Sequence, residues 1–406
     1  MFYQLSTLRN YLPILFISAL LLSTVDIYAG TKSLGMGGFG TAYALEVDTV
    51  NPAGIVELGN RLDYGFGLLY QTGRARVKGN TQGLNGKFDT MRDRYWPAGT
   101  FGYNKMIRSN LSFAILQKPI TGVKSRYNKV CGLFGTTKTG VELEIVALCP
   151  TISWQICKNH CLGLSFNYVL AREKYKGFQA TIPISKRPNH VTNKGYNYSR
   201  GYGLTIGYKW QITPQFVVGV AYTPKNHITR FRKYDGLKPS GIISVPAILH
   251  AGCAFHYNKK TTVTFDFVHF DIKRVPTASN SPFAPHPAGA PNGPGAGWRN
   301  LMFYTLGGEY KMNEKLTFRI GGSYARQPIT RHVTIGTPEC VGLTKFLLSM
   351  GTTYKISEKM ESSISFSHGF RNTIKGKNSI PIKGGGGEYD ITYSPTVILI
   401  GGTWIL

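Results

Sequence analysis

The first string whose residue types and spacing point to chemistry is Gly-Met-Gly-Gly-Phe-Gly at residues 35–40, which matches G-x-G-x-x-G. In a dinucleotide-binding fold, such glycines approach a pyrophosphate, and an acid about 20 residues later, here Glu57, binds the ribose. That fold needs a strand before the glycines and a βαβ unit after them, and this sequence has neither. We therefore interpret the glycines as positions where a short segment packs tightly; they are Gly35, Gly37, Gly38 and Gly40.

A second string with possible chemistry holds two cysteines. Cys157 and Cys161 bracket three residues that include His160, and the string lies between two alternating apolar runs. Because the two cysteines could face each other across a hairpin, we predict a disulfide between Cys157 and Cys161. The spacing with His160 also resembles half of a zinc site, but no second ligand pair at zinc-like spacing follows. We expect neither a metal nor an organic cofactor.

Side chains suited to catalysis are not grouped along the chain. The nine His and the 20 Asp and Glu among 406 residues show no nucleophile–base or two-carboxylate pattern. A Ser–His pair that meets only in the fold, as in a lipase, would leave no pattern of this kind. We expect a protein that is not an enzyme.

The elements that must position these residues follow a period of two from about residue 61 onward. Apolar residues alternate with small or polar ones in segments such as 162–170, 202–210 and 316–324. Successive side chains of a strand point to opposite faces, so each segment has one apolar and one polar or small face. The pattern predicts an all-β protein.

The length of the strands and the rhythm of the turns indicate which β fold. Candidate strands run for about ten residues or more, longer than the usual soluble strand of about five to six. Short polar turns are expected at 107–110, 158–160, 213–215, 258–260, 313–314 and 357–359, and long loops at 80–95, 121–140, 181–195, 232–240, 276–299, 330–341 and 377–388. Short turns at one end and long loops at the other are typical of outer-membrane barrels. We predict a transmembrane antiparallel β-barrel of about 14 strands over residues 61–406.

Composition and the chain end agree with a barrel. Aromatic residues make up 13% of the chain and charged residues 17%, with 48 Gly, and no apolar run after the N-terminus is long enough for a membrane helix. Aromatic residues at strand ends fit interfacial girdles: Tyr208, Trp210, Tyr310, Tyr354 and Trp404. The final strand resembles the signal that outer-membrane assembly machinery reads, with Leu406 where an aromatic residue is usual.

Residues 1–29 have the layout of a secretory signal. A short polar start with Arg9 precedes an apolar stretch at 11–25, and Tyr28-Ala29 precedes Gly30. We expect cleavage after Ala29 and export, which places the six cysteines where disulfides are permitted. The alternative is an uncleaved membrane anchor, which the short apolar stretch and Pro13 disfavour.

Residues 30–60 do not alternate, and they carry a family resemblance. The string KSLGMGGFGTAYALEVDTVNPAGIVEL at 32–58 resembles the N-terminal hatch of the FadL family, outer-membrane transporters of long-chain fatty acids and other hydrophobic compounds. The family has a Gly-rich stretch, an acidic spacer and an Asn-Pro-Ala signature, matched here by Asn51, Pro52 and Ala53. The spacer is shorter here. Residues 298–329 and 346–369 are similar to late strands of these transporters, and Pro246, in a strand expected to open at 242–245, falls where the family often has Pro.

The resemblance implies a location and a mechanism. The location is the outer membrane of a Gram-negative bacterium, with residues 30–60 as a hatch that plugs the lumen. The ligand would be a long-chain fatty acid or another hydrophobic small molecule. It would be captured in a surface groove, pass to an apolar pocket, and leave sideways after the hatch moves, through a gap at a kink in the third strand. That strand is expected from Leu111 to Pro119, since Pro119 cannot donate a ladder hydrogen bond; ordinary strand termination at Pro119 is the alternative.

The charge balance suggests partners. With 47 Lys and Arg against 20 Asp and Glu, the net charge is +27. Five basic residues cluster around the third and fourth long loops: Lys186, Arg187, Arg230, Arg232 and Lys233. They could attract lipopolysaccharide phosphates or a fatty-acid carboxylate, or they could be ordinary solvated charge. We expect no nucleic-acid partner and a monomer.

Two other functions remain open. The barrel could be a general diffusion porin, anion-preferring because of its positive charge, or a surface antigen or adhesin whose lumen is idle. A Gly-rich plug ahead of the first strand argues against the porin. The loop at 276–298 is rich in Pro, Gly and Ala, so it should be extended or mobile, as a lid or as a filler.

Overall fold

The computed structural model describes residues 30–342 and 344–406. The expected secretory signal, residues 1–29, lies outside the described residues. Within the described ranges the strands are β1 (Arg61–Lys78), β2 (Gly86–Asp89), β3 (Tyr95–Arg108), β4 (Leu111–Arg126), β5 (Gly140–Cys157), β6 (His160–Lys176), β7 (Asn197–Gln211), β8 (Phe216–Thr223), β9 (His227–Ile228), β10 (Ile248–His256), β11 (Thr261–Phe270), β12 (Leu301–Lys311), β13 (Leu316–Arg326), β14 (Phe346–Ser357), β15 (Met360–Gly369), β16 (Asn372–Ile374) and β17 (Glu388–Ile405).

Fourteen of these described strands form a closed antiparallel barrel. Each long strand pairs with its sequence neighbours, and β1 pairs along its whole length with β17, from Arg61 opposite Ile405 to Lys78 opposite Glu388. The short strands β2, β9 and β16 extend the barrel by pairing with the long-loop ends of β1, β7 and β17. The predicted 14-stranded barrel is confirmed.

The two ends of the barrel differ as predicted. The β3–β4, β5–β6 and β14–β15 connections are two residues long, and the β7–β8, β10–β11 and β12–β13 connections are four residues long. The seven connections at the opposite end are long and hold short 3-10 helices, β2, β9, β16 and a single helical turn, Pro276–Ser279. The long-loop end therefore carries the material that can build a site.

The faces of the wall strands also differ. On β6, Leu162, Leu164 and Phe166 point outward and are 38%, 48% and 43% exposed, whereas Ser165 and Asn167 are buried at 0% and 3%. An apolar outer face suits contact with lipid, and a polar inner face is usual in outer-membrane barrels.

The lumen is filled by polar side chains as well as apolar ones. Arg319 on β13 donates from Nε to Glu309 on β12 at 2.8 Å and from Nη1 to Thr353 on β14 at 2.6 Å. In the ranges 30–342 and 344–406, no helix is long and apolar enough to cross a membrane.

Two local predictions are wrong. Residues 242–245 do not open a wall strand: β10 begins at Ile248, and Val245 makes an isolated bridge with Asn226. Ile243 and Val245 pack instead in an interior cluster with Ile55 and Leu116, and the following Pro246 has no N–H to donate to a ladder.

The predicted disulfide is not formed, because Cys157 and Cys161 are both free. The hairpin register sets Cys157 opposite His160 and Cys161 opposite Gln155. Cys157 is exposed and Cys161 is buried, so the two thiols do not share one face of the hairpin.

Candidate functional site

Residues 30–60, here called the N-terminal segment, are held by wall strands on several sides. The segment contains helix α1 (Thr31–Gly35) and a 3-10 helix, Pro52–Leu58. The Asp266 carboxylate on β11 accepts from the backbone of Gly40 at 3.1 Å and of Thr41 at 2.9 Å. Ser153 Oγ on β5 accepts from Val56 N at 3.1 Å. Polar side chains of the lumen thus satisfy backbone donors of the segment.

The glycines of the first motif allow backbone to meet backbone. Gly37, Gly38 and Gly40 have φ values of 93°, 125° and 65°, in the region that favours glycine. Gly35 lies against Gly351 of β14, whose Cα is 3.0 Å from where a Gly35 Cβ would be. A Cβ on Gly321 of β13 would collide with the backbone after Met36. Gly321 therefore accepts no side chain without moving the segment, whereas at Gly38, which has no neighbour within 4 Å, the backbone angle alone favours glycine.

The Asn-Pro-Ala signature ties two parts of the segment to the wall. Asn51 Oδ1 accepts from Ala53 N at 3.0 Å and caps the 3-10 helix, with Pro52 in its first turn. The Asn51 amide donates to Thr41 O at 2.8 Å and to Tyr208 O on β7 at 3.1 Å. All three residues of the signature are buried.

A cavity of about 1350 Å³ lies between the N-terminal segment and the long loops. Leu34 and Phe39 of the segment line it, and the loops contribute Phe134, Phe178 and Trp298. The Pro- and Gly-rich loop at 276–298 forms much of one wall, so this loop encloses the cavity. A concave, mainly apolar cavity is suited to a hydrophobic ligand.

Four charged residues that the sequence did not single out also line this cavity: Lys238, Glu339, Lys345 and Lys383. Lys238 Nζ donates to Glu173 Oε2 at 2.9 Å and lies 3.8 Å from the centre of the Tyr175 ring. Burial raises the pKa of Glu339 to about 7. Neither Lys238 nor Glu339 stands in a motif, since the fold brings them together from loops about a hundred positions apart.

The five predicted carboxylate-attracting residues lie away from that lining. Arg187 and Arg230 both pair with the buried Asp235, Arg230 at 3.0 Å. Lys233 Nζ donates to Tyr196 O at 2.6 Å. Lys186 and Arg232 are exposed. The structure brings Arg187 and Arg230 together around one carboxylate and leaves the other three on the loop surface.

The wall is interrupted beside Pro119. The β3–β4 ladder runs from Arg108 opposite Leu111 to Phe101 opposite Gln117 and goes no further. Beyond Gln117, β4 continues against β5, with a register shift between Pro119 and Thr121. Leu111 therefore lies in the regular part of the strand, and Pro119 lies at the start of the interruption.

Side chains, rather than a ladder, connect the two strands above this point. Lys124 Nζ on β4 lies 3.2 Å from the centre of the Trp96 ring on β3. Gln71 on β1 donates from Nε2 to Lys124 O at 3.0 Å. We call the stretch of wall between Trp96 and Lys124 the wall gap.

A smaller cavity of about 60 Å³ lies next to Pro119. It shares Ile120, Val245 and Ile248 with the large cavity. Its lining mixes apolar side chains with polar ones, among them Lys118, Asn226, His250 and the carboxylate Asp48. Among the described residues, His250 Nδ1 and Asn226 Oδ1 have no hydrogen-bond partner, although these residues are only 6% and 1% exposed.

The polar groups of the small cavity are therefore poised for a ligand. Lys118 forms no ion pair with any residue of the described ranges, and it sits beside the unpartnered His250 and Asn226. A buried polar atom without a partner costs about 1–3 kcal/mol, which a polar ligand group could recover. Sequence reasoning found Pro119 but missed Lys118 and His250, because alternation marks them only as inward positions.

Comparison with known proteins places these features in context. The family described as "Outer membrane protein transport protein (OMPP1/FadL/TodX)" matches residues 30–404. A search of curated protein sequences gave no match.

Several solved structures have the same fold. The Pseudomonas putida toluene transporter TodX is 15% identical with a TM-score of 0.70, covering 93% of this chain and 99% of that one. A Pseudomonas aeruginosa FadL homologue is 15% identical with a TM-score of 0.70, covering 94% and 99%. The Ralstonia pickettii toluene transporter TbuX is 16% identical with a TM-score of 0.66, covering 93% and 99%.

Proposed function

The chain belongs to the outer membrane transport protein family OMPP1/FadL/TodX, and from that premise we propose that it takes up a hydrophobic molecule with one polar head group. A long-chain fatty acid is the preferred candidate. The family is one of outer-membrane transport channels rather than enzymes. The observation that carries this choice is the contact between the large apolar cavity and the small polar one.

The apolar cavity would hold the tail. Transfer of one methylene group from water to an apolar site is worth about 0.8 kcal/mol, so a tail of about ten methylenes contributes several kcal/mol after ordering costs. The polar cavity would hold the head. Lys118 would supply the charge, and the unpartnered atoms of His250 and Asn226 would supply hydrogen bonds.

The N-terminal segment would act as a hatch. It closes the floor of the large cavity through Leu34 and Phe39 and is held by exchangeable polar contacts such as those with Asp266. Its rearrangement would let the ligand move from the large cavity toward Pro119. Release would follow sideways through the wall gap, where β3 and β4 share no ladder hydrogen bonds.

A reducible cross-link across the wall gap tests lateral release. In Trp96→Cys/Lys124→Cys, a bis-methanethiosulfonate cross-linker forms one disulfide with each new cysteine, releasing methanesulfinate, and joins the two strands where their side chains now touch. We expect tight binding of a labelled long-chain fatty acid to persist, uptake to stop, and reduction to restore uptake. Each single variant is the matched control. Unchanged uptake with the cross-link in place would refute the lateral route.

Planar-bilayer conductance tests the rival porin function. A hatch-closed transporter should show little steady salt conductance, whereas a porin forms large, stable open channels. Open channels together with no fatty-acid binding would overturn the proposed function.

A further inference from the structure

A group of mostly buried charged side chains lies near Gly30, the first described residue of the chain. Four carboxylates, Glu46, Asp48, Asp63 and Glu361, lie near two cations, and we call them the acid cluster. Lys32 Nζ pairs with Glu361 at 2.6 Å. Arg61 Nη2 pairs with Asp63 at 2.8 Å. Within residues 30–342 and 344–406, Glu46 and Asp48 have no ion pair.

Glu46 and Asp48 are poorly placed for two buried negative charges. Both are buried, and burial raises the pKa of each above its usual range, helped by repulsion from Asp63 at Glu46 and from Glu46 and Asp63 at Asp48. Glu46 accepts from Lys32 N at 2.9 Å and from Ser33 N at 3.2 Å, and Asp48 has the Thr100 hydroxyl. These neutral donors fix the carboxylates in place without cancelling their charge.

Gly30 packs directly on these two carboxylates. A Cβ atom on Gly30 would collide with Glu46 Oε2 and would lie 2.6 Å from Asp48 Oδ1. The backbone nitrogen of Gly30 is two bonds from that position, so it lies within about 5 Å of both carboxylates.

An unpartnered hydroxyl borders the same place. The Thr31 hydroxyl is buried and has no partner among the described residues. A Cβ at Gly65 would lie 2.6 Å from it and 2.8 Å from the Thr100 hydroxyl, and Thr100 in turn bonds Asp48.

We propose that cleavage after Ala29 supplies the counter-ion of the acid cluster: the new α-ammonium group of Gly30 binds Glu46 and Asp48. Hydrolysis of the Ala29–Gly30 peptide bond by a signal peptidase consumes one water. The carboxyl leaves with Ala29, and the freed amine of Gly30 takes up a proton. An α-ammonium group has three N–H donors and is largely protonated at pH 7, and Glu46, Asp48 and Thr31 offer three acceptors.

The consequence is that processing fixes the N-terminal segment. Before cleavage, Gly30 offers one amide N–H and no charge to the two carboxylates. After cleavage, a charge-assisted contact, stronger than a neutral hydrogen bond, anchors the start of α1 in the lumen. The acid cluster is not part of the large cavity lining, but its member Asp48 lines the small cavity, so the inference is tested on the Gly30 amine itself and not on ligand binding.

The test uses mature full-length protein purified from outer membranes. Intact mass should show a chain that begins at Gly30. Reductive methylation of the native protein, followed by mass spectrometry of the N-terminal peptide, should label the Gly30 amine at least tenfold more slowly than in the denatured protein. A chain that begins at another residue, or a native amine that reacts as fast as the denatured one, overturns the proposal.

Variants locate the contact. Glu46→Gln/Asp48→Asn should restore fast labelling of the Gly30 amine. Glu144→Gln is the matched control, since it removes a buried carboxylate of β5 that pairs with Arg172 on β6, and labelling should stay slow. Heat-modifiable migration on gels verifies that each barrel is folded. Slow labelling of the Gly30 amine that persists in a folded double variant also overturns the proposal. If the double variant does not fold, the labelling rates of native and denatured wild-type protein test the proposal on their own.

Discussion

At the scale of single residues, Glu339 is a carboxyl group in the wall of an apolar cavity. Burial raises its pKa to about 7 from an ordinary 4.5. For a group whose folded pKa is raised, ionisation costs the folded state free energy as pH rises from the unfolded value through the folded one. An apolar ligand removes further water from Glu339, so ligand binding should favour the neutral form and weaken as pH rises past 7.

The first prediction follows from Glu339. Affinity for a neutral hydrophobic ligand should fall about three- to tenfold between pH 6 and pH 8, since a shift of one pKa unit corresponds to about 1.4 kcal/mol. Glu339→Gln should bind with the same affinity at both values. Titrations at constant ionic strength measure this. Glu314→Gln, in an exposed short turn, is the control, and a pH dependence that survives in Glu339→Gln would exclude Glu339 as its origin.

The second prediction concerns the small polar cavity. Lys118→Met should weaken binding of a long-chain fatty acid about tenfold or more, because a hydrogen bond to a charged group contributes about 1.5–3 kcal/mol. Binding of the methyl ester with the same tail should change little. At 0.5 M salt, where exposed charges are screened, Arg232→Met, which removes an exposed loop cation, should leave both affinities unchanged. Equal losses for acid and ester in Lys118→Met would show that Lys118 acts through packing alone.

At the scale of elements, the N-terminal segment fits against the wall strands because glycines stand where the two backbones come close together. The close approach of Gly321 to Met36 leaves no room for a methyl group, whereas Gly308 on the neighbouring strand meets its nearest neighbour at 3.8 Å, an ordinary contact. The spacing of the turns and the alternation of apolar with polar residues predicted the strands themselves, because a strand between lipid and lumen needs one apolar face and one polar face.

The same rules could not predict where the chain leaves the wall. Residues 242–245 have a strand-like composition, yet Ile243 and Val245 find their apolar neighbours inside the barrel. The sequence pattern of an apolar face is the same whether that face packs inside the barrel or contacts lipid, so the pattern alone does not distinguish the two.

The third prediction tests the matched glycines. Gly321→Ala should push the N-terminal segment from its seat and open a path for ions, because backbone cannot yield as a flexible side chain can. Stepwise conductance in planar bilayers, and sensitivity of cells to a large hydrophilic antibiotic, should rise. Gly308→Ala, on β12, should behave as the wild-type protein. A closed Gly321→Ala channel would mean that the segment shifts without leaving the lumen.

At the scale of the whole molecule, the net charge of +27 acts over distance rather than in the site. Arg187 and Arg230 are engaged by Asp235, so Arg232 and Lys233 are better placed to influence the approach of anions. The sequence predicted that basic residues lie on the loop surface, but it could not show which of them are neutralised by an ion pair. Ion pairs between distant loops leave no local pattern.

The fourth prediction follows from this charge. Arg232→Gln/Lys233→Gln should slow association of a fatty-acid anion several-fold at low ionic strength and have little effect at 0.5 M salt, because exposed charges are screened beyond about one Debye length. Arg230 is kept so that Asp235 retains its partner. Stopped-flow fluorescence measures the rates, and a defect that is independent of salt would point to a role in the bound state.

In the proposed function, the long loops contribute most to ligand selection and the N-terminal segment closes the pore. Much of the large cavity is built by loops, including residues 276–298. The N-terminal segment, in contrast, is held on the strands by Asp266, Ser153 and wall glycines. Loops can be exchanged without disturbing that seat. Exchanging loops between relatives should therefore change the ligand selectivity without making the outer membrane more permeable to ions. This barrel is therefore a suitable scaffold for engineered uptake.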